Sequence, residues 1–450
     1  MRSSSTTRRR NRRKASTPST KSASRTSTSS SSSLVAPKII RPDRLAEVLP
    51  PGGLTWLQAC SAESALLRDG IVAAGDRLGP MTFTGIFVPG LNRLDYLVQD
   101  RRRAKTFFLT PELRRRPDAT EFLPFNYREI IRHLYATPIS AALFMVSPPD
   151  ENGLCGVGPV ADFVPDFWKR IPIRIAHVNP RLPETRGYAG IPWEELTAVV
   201  EGEQDLPTSQ TGAPDAVTEA IGRHVAAIVP DRATIQTGLG RVPDAALRGL
   251  ADHRNLRIHS GLIGDAVVDL LEAGAIAPGL SITTGVAIGT ARLYEAVADD
   301  RFRFRPAVFT HSPKVITTLQ RFVTINSVVE IDLLANGFAE HQAAGLMSGP
   351  GGASDFASAG RANDAIRIIV LPSTADGGRT SRIVPTGANP APVSLNRFDI
   401  DVVVTEHGAA DLRLKSHHER AEALIAVAAP AHRPMLEESW GRWTGRFWQR

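Results

Sequence analysis

A chain of 450 residues with 42% hydrophobic content is long enough for two or three domains with real cores, and it contains no apolar run long enough to span a bilayer. The formal charge of +7 comes from one end: residues 1–42 hold eleven Lys and Arg and no acid, and removing them from the 53 basic residues leaves 42 against 46 acidic ones. The body is therefore mildly acidic, which argues against nucleic-acid binding by the folded part. Cys60 and Cys155 are the only cysteines and stand far apart, which excludes a disulfide framework or a cysteine zinc site and fits a reducing compartment.

The Ser-, Thr- and Arg-rich tail over 1–42 cannot bury enough surface to offset its ordering entropy and is expected to be disordered. It reads as a plain extension, as a transit segment of Arg-rich, acid-poor type, or as a polyanion-binding arm with Arg8–Lys14 at its centre. The first account goes with a cytoplasmic protein and the second with a mitochondrial one. An N-terminal domain is expected over 43–205 and a C-terminal one over 206–450. Leu54–Ala74 reads as helix, and Met81–Pro89, Phe107–Thr110, Ala141–Ser147 and Ile173–Val178 read as strands. Residues 200–215, polar with two prolines and two glycines, read as the linker. The second half opens with a helix from Ala216 to Ile228. Later strands are expected at Val323–Asn326, Val329–Leu334, Ile366–Pro372 and Asp399–Gly408. Strands alternating with helices imply an α/β fold of mainly parallel sheets, in two units with a cleft between them.

Between Thr234 and Leu270 the pattern is strand, glycine turn, helix, strand, glycine turn, helix. Gly238 and Gly240 break the first strand, and Pro243 suits a first helical turn. Gly261 and Gly264 read as the second turn, with Asp265 as a cap for the helix that follows. Glycine loops at the carboxyl ends of parallel strands are where open α/β sheets hold ligands, and helix N-termini there favour anions. The dense run Ser348-Gly349-Pro350-Gly351-Gly352 allows close backbone approach to a ligand, while Asp355 caps the next helix or faces the ligand. No GxGxxG, P-loop, GxSxG or HExxH pattern occurs, so no dinucleotide, nucleotide, serine-hydrolase or metal site is expected. Ser260 beside His259 makes a poor pair, because neighbours on a strand point to opposite faces. Glu406 and His407, at a strand end before Gly408, either line the cleft or face solvent.

Several stretches resemble the acetyl-CoA hydrolase/transferase family, which includes acetate, succinate and 4-hydroxybutyrate CoA-transferases. Gly238–Pro243 (GLGRVP) resembles the family's G-x-G-x-I-P. HSGLIGDAVVDL from His259, INSVVEIDL from Ile325, SGPGGASDF from Ser348 and VVTEHGAADLRLKS from Val403 are similar to further family motifs in order, as are SPPDENG and VNPRLPETRG in the first half. The resemblance covers roughly residues 50–445 and implies two open CoA-transferase-type α/β/α domains with the active site between them. It implies coenzyme A thioesters and small carboxylates as substrates, no bound cofactor, and a homodimer or higher oligomer. It also implies a glutamate nucleophile that forms an acyl-glutamyl anhydride and then a glutamyl-CoA thioester, with glycine-loop amides holding the oxyanions.

The sequence departs from the family at the nucleophile: Gly261 stands where the family keeps its glutamate, at unchanged spacing from His259 and Asp265. Ala353 and His407 are further departures, replacing a Gln and a Tyr of the family pattern. Three outcomes stay open. The chain is an acyl-CoA enzyme of modified mechanism, with water activated by Glu406, His407, His259 or Asp265, or with the acceptor attacking directly. It is a transferase whose carboxylate comes from Glu330 or Glu340. Or it binds CoA ligands without turnover. The resemblance implies Gly238, Gly240, Pro243, Gly261, Gly349, Gly351, Gly352 and Asp355 around the thioester, and a glutamate restored at 261 is expected to create transferase activity.

Overall fold

A computed structural model describes residues 36–99, 101–342 and 345–448. Numbering only the strands of its two large sheets, the first holds β1 (Lys38–Ile39), β2 (Gly53–Leu57), β3 (Met81–Gly85), β4 (Arg102–Thr106), β5 (Thr120–Phe122), β6 (Ala141–Val146), β7 (Ile173–Val178) and β8 (Ala198–Glu201). Their order is β1-β8-β7-β6-β2-β3-β4-β5, parallel throughout. The second sheet holds β9 (Thr234–Thr237), β10 (Arg257–Ile263), β11 (Ile282–Ala287), β12 (Phe302–Phe304), β13 (Phe322–Ser327), β14 (Ile366–Val370), β15 (Val402–Thr405) and β16 (Gly408–Asp411). Its order is β12-β11-β10-β9-β13-β14-β15-β16, parallel except for the closing hairpin β15–β16.

Both sheets reverse their winding once. In the first, successive strands run outward from β2 toward β5 and then resume at β6 on the other side. In the second they run from β9 toward β12 and resume at β13. Such reversals open a crevice beyond the strand carboxyl ends, because flanking connections leave in opposite directions there. β6 (AALFMV) is buried at every position, as a central parallel strand covered on both faces must be.

Three elements differ from the sequence expectation. Lys38 and Ile39, assigned to the tail, pair with Ala198 and Val199 and extend the first sheet; the rest of the tail, 1–35, lies outside the described residues. Gly53–Leu57 is a strand rather than the start of a helix, because Thr55 and Trp56 bond between two parallel neighbours; the helix begins only at Ala65, where the Ser64 side chain accepts from the Leu67 amide. The strand ahead of Phe107 is Arg102–Thr106, its β character masked in sequence by three cations, whose alternate positions Arg102, Ala104 and Thr106 are buried.

One buried apolar cluster runs from Trp56, Phe144 and Phe163 to Ile235, Ile258 and Ile325, so the two sheets share a core. The connecting segment after β6 supplies the seam. Ala161 donates to the Gly285 carbonyl, Ala287 to that of Pro159, and the Ser61 hydroxyl to Ala287. The polar stretch 202–215 is tied down on both sides: the Gln204 carbonyl accepts from Asn179, Tyr294 donates to Pro207, and Thr211 donates to Asp244.

Candidate functional site

A cleft of about 330 Å³ lies where the carboxyl ends of strands from both sheets converge. From the first sheet come Cys60 after β2, Ile86–Pro89 after β3, Phe108 after β4, and Tyr127 at the head of the helix Tyr127–Ala136. From the second come Gln236–Leu239, Gly261, Leu262, Val286, His311, Asn326 and Ser327. Ser348–Ala353 and Phe356 close it. A larger open groove of about 620 Å³ around Leu134–Ile139 and Arg170–Ile173 touches none of the glycine loops.

The floor is the winding reversal of the second sheet. Gln236 on β9 and Asn326 on β13 exchange side-chain bonds, Nε2 donating to Asn326 Oδ1 at 3.1 Å and Asn326 Nδ2 donating back at 2.8 Å. Gly238 follows at once, and a Cβ there would stand 3.1 Å from that Oδ1, so glycine lets the loop turn over the amide pair. The lid is the Ser348–Gly352 loop. It docks on the first half, where Arg114 donates to the Met347 carbonyl at 2.9 Å, Asn126 bridges Gly351, and a Cβ on Gly349 would strike the Phe107 carbonyl. The helix Ala353–Gly360 starts from it, with Gly352 as N-cap. Asp355 is buried behind the lid and accepts the Tyr127 amide at 2.9 Å; burial raises its pKa to about 7.

At the centre stands His311, 3% exposed. Its ring stacks on Tyr127 at 4.2 Å and 10°, and leans on Phe356 at 4.7 Å. A Cβ added to Gly261 would lie 2.6 Å from the ring Cε1 and 2.8 Å from Nε2; one added to Gly352 would lie 2.6 Å from Nε2. The imidazole thus fills the space where side chains of both residues would begin. Burial first, and neighbouring His259 second, push its pKa down to about 3, so it is neutral at physiological pH. Cys60 adopts a left-handed backbone with φ 54°, held by the Asn92 amide, and burial pushes its thiol well above the usual range.

Gly238, Gly261, Gly349, Gly351 and Gly352 line the cleft together. Gly240 and Pro243 lie back from it, as the N-cap and buried first turn of the helix Arg241–Arg248. Gly261 is not a turn residue: β10 continues to Ile263, with Leu262 and Ile263 paired to Val286 and Ala287. The four weaker candidates are all engaged elsewhere. His259 bonds the Thr310 carbonyl through Nε2 at 2.9 Å, and Ser260, on the opposite face, donates to the Thr237 carbonyl. Asp265 gives its own helix no side-chain cap and instead accepts the amide and hydroxyl of Thr290, one helix along. Glu406 accepts the amide and hydroxyl of Ser373, with His407 3.6 Å away. Glu330 and Glu340 bond Asn389 and Ser394. None of these carboxylates lines the cleft. His311, Tyr127, Phe356, Gln236 and Asn326 were not singled out in the sequence; each is an ordinary residue within its own segment and acquires its place only through long-range packing. Among the described residues no group of three or more His, Cys, Asp or Glu is placed to hold a metal ion.

Two winding reversals facing one glycine-lined cleft define the class as a CoA-transferase-type α/β protein, and comparison with known proteins agrees. RipA from Yersinia pestis superposes with a TM-score of 0.83 at 25% identity, over 90% of this chain and 98% of that one. 4-Hydroxybutyrate CoA-transferase from Porphyromonas gingivalis gives 0.75 at 27% identity, over 90% and 97%. The family model for the acetyl-CoA hydrolase/transferase C-terminal domain matches residues 289–440. 4-Hydroxybutyrate coenzyme A transferase of Clostridium kluyveri is 36% identical over 308 residues, covering 66% of this chain and 72% of that protein. Acetyl-CoA hydrolase of Kluyveromyces lactis is 27% identical over 59% of this chain and 54% of that protein. The chain belongs to the acetyl-CoA hydrolase/transferase family and is an enzyme of that acyl-CoA-handling kind.

Proposed function

We propose that this enzyme moves coenzyme A between an acyl-CoA thioester and a small carboxylate by direct attack of the carboxylate, without a protein-bound glutamyl intermediate. The observation that carries the proposal is the lining of the cleft. By the motif resemblance Gly261 takes the position of the family glutamate; His311 occupies the space a side chain there would need, and no Asp, Glu, Lys or Arg side chain lines the cleft among the described residues.

The chemistry follows from what such a lining offers. Water would need a base, and the one imidazole present, with a pKa near 3, takes no proton at neutral pH. A carboxylate acceptor arrives already ionised. Its oxygen attacks the thioester carbonyl carbon; a C–O bond forms, the C–S bond breaks, and CoA leaves as thiolate beside a mixed anhydride. The thiolate then attacks the acceptor's carbonyl carbon, forming the new thioester and expelling the donor acid as carboxylate. Atoms balance with no further reagent. The support for anion tolerance is the N-cap at Gly352, where an eight-residue helix begins against the cleft. Both substrates are present at once in this route, so initial velocities over a matrix of acyl-CoA and carboxylate concentrations follow a sequential pattern with intersecting reciprocal plots. Parallel plots, diagnostic of ping-pong transfer, would contradict it. Thiol release with no acceptor would instead make the enzyme a hydrolase, and binding without turnover across an acyl-CoA panel would make it a ligand-binding homologue.

A further inference from the structure

The geometry points to the His311 Nε2–H as the hydrogen-bond donor that holds the developing oxyanion of the thioester carbonyl. The inference rests on the thioester chemistry proposed above and names the group that assists it.

The far ring nitrogen, Nδ1, is engaged by Thr310. The Pro306 carbonyl already accepts the amides of Phe309 at 2.9 Å and Thr310 at 3.0 Å. The Thr310 hydroxyl lies 3.5 Å from that carbonyl but 3.0 Å from His311 Nδ1. With the hydroxyl donating to Nδ1 the ring proton sits on Nε2, and this is the tautomer the inference requires. Nε2 is the ring nitrogen nearest the cleft glycines, on a residue only 3% exposed. Here the N–H is directed between Gly261 and Gly352, at the cleft wall, and the missing side chains of those two glycines leave it uncovered.

The ring is also held rigidly, as an oxyanion donor must be. Tyr127 stacks on one side, Phe356 leans on it, and Thr310 fixes the far nitrogen. Burial among these rings keeps the imidazole neutral, so it offers a proton for hydrogen bonding without giving it up. A residue at 261 with any Cβ would displace the ring. Loss of the family's glutamate and gain of this donor are therefore two aspects of one packing arrangement.

The test uses the full-length enzyme. His311→Phe keeps an aromatic ring between Tyr127 and Phe356 but removes the N–H. It is expected to lower kcat by about 10²- to 10³-fold with little change in KM. His311→Gln restores an N–H and is expected to recover activity to within about tenfold of wild type. In ¹⁵N-histidine spectra the Nε2–H should persist from pH 5 to 9. It should shift on addition of the ketone analogue of acetyl-CoA, in which a methylene replaces the thioester sulfur. Wild-type kcat in His311→Phe, a His311→Gln enzyme as inactive as His311→Phe, a proton found on Nδ1, or an acyl group recovered on His311 would each overturn the inference. Absence of all turnover in the wild type would sink the proposed function instead, while the response of the Nε2–H to the analogue still decides the role of His311.

Discussion

The ring of His311 stands where a side chain on Gly261 would begin, and this contact governs what substitutions there can do. Gly261→Ala forces the stacked ring to move and should cost about 1–3 kcal/mol in urea unfolding, as overpacking does. Placed in a His311→Ala background the same change should cost clearly less, because the two residues share one space. Gly261→Glu alone should therefore fail to create transferase activity of the glutamyl type, while Gly261→Glu with His311→Gly provides room for the carboxylate; a glutamyl-CoA adduct in the single variant would contradict the packing. Asp355 makes a second prediction. Its pKa is raised from 3.8 to about 7, so the folded state binds a proton that the unfolded state has released. Its contribution is complete below pH 4 and is lost as pH rises through 7. Wild type should lose about 2 kcal/mol relative to Asp355→Asn between pH 5 and 8; a constant difference would show that the group does not titrate there. That residue 261 belongs to the cleft was legible in the sequence, from the motif residues on either side of it. Its filling by His311 was not, since nothing in the segment around Thr310–Pro313 distinguishes a cleft histidine from a structural one.

Elements at the winding reversals set the cleft's floor. The paired amides of Gln236 and Asn326 join β9 to β13 at the winding reversal. Asn326→Ala leaves the Gln236 amide buried without its partner and should cost about 1–3 kcal/mol. Replacing both, as Gln236→Met with Asn326→Leu, should cost less than the single change, since neither side is then left unsatisfied. Additive losses in the denaturation midpoints would mean the pair is not coupled. At this scale the sequence was informative where burial is uniform, as in Ala141–Val146 and Val402–Thr405, whose apolar runs read as strands. It misled where charge sits on a half-buried strand, as in Arg102–Thr106, and where a glycine within a strand looks like a turn, as Gly261 does in β10.

Across the molecule, neither half owns the site. Cys60, Phe108 and Tyr127 come from the first, Gly238, Gly261 and His311 from the second, and the Ser348–Gly352 loop reaches back to rest on Phe107 and Asn126. The shared core from Trp56 to Ile325 holds the facing strand ends in register. A cleft between two α/β units was expected from the alternation of strands and helices. The residues that meet in it were not, because contacts between distant segments leave no periodic trace in either one. The most direct test is to incubate the enzyme with acyl-CoA and measure protein-bound CoA by intact mass, with borohydride reduction of a glutamate to its alcohol and release of CoA as the second readout of a thioester, alongside acceptor-dependent formation of the second acyl-CoA. The account predicts new acyl-CoA only when a carboxylate is supplied, and no CoA attached to the protein. A trapped glutamyl-CoA adduct accompanying turnover would contradict it.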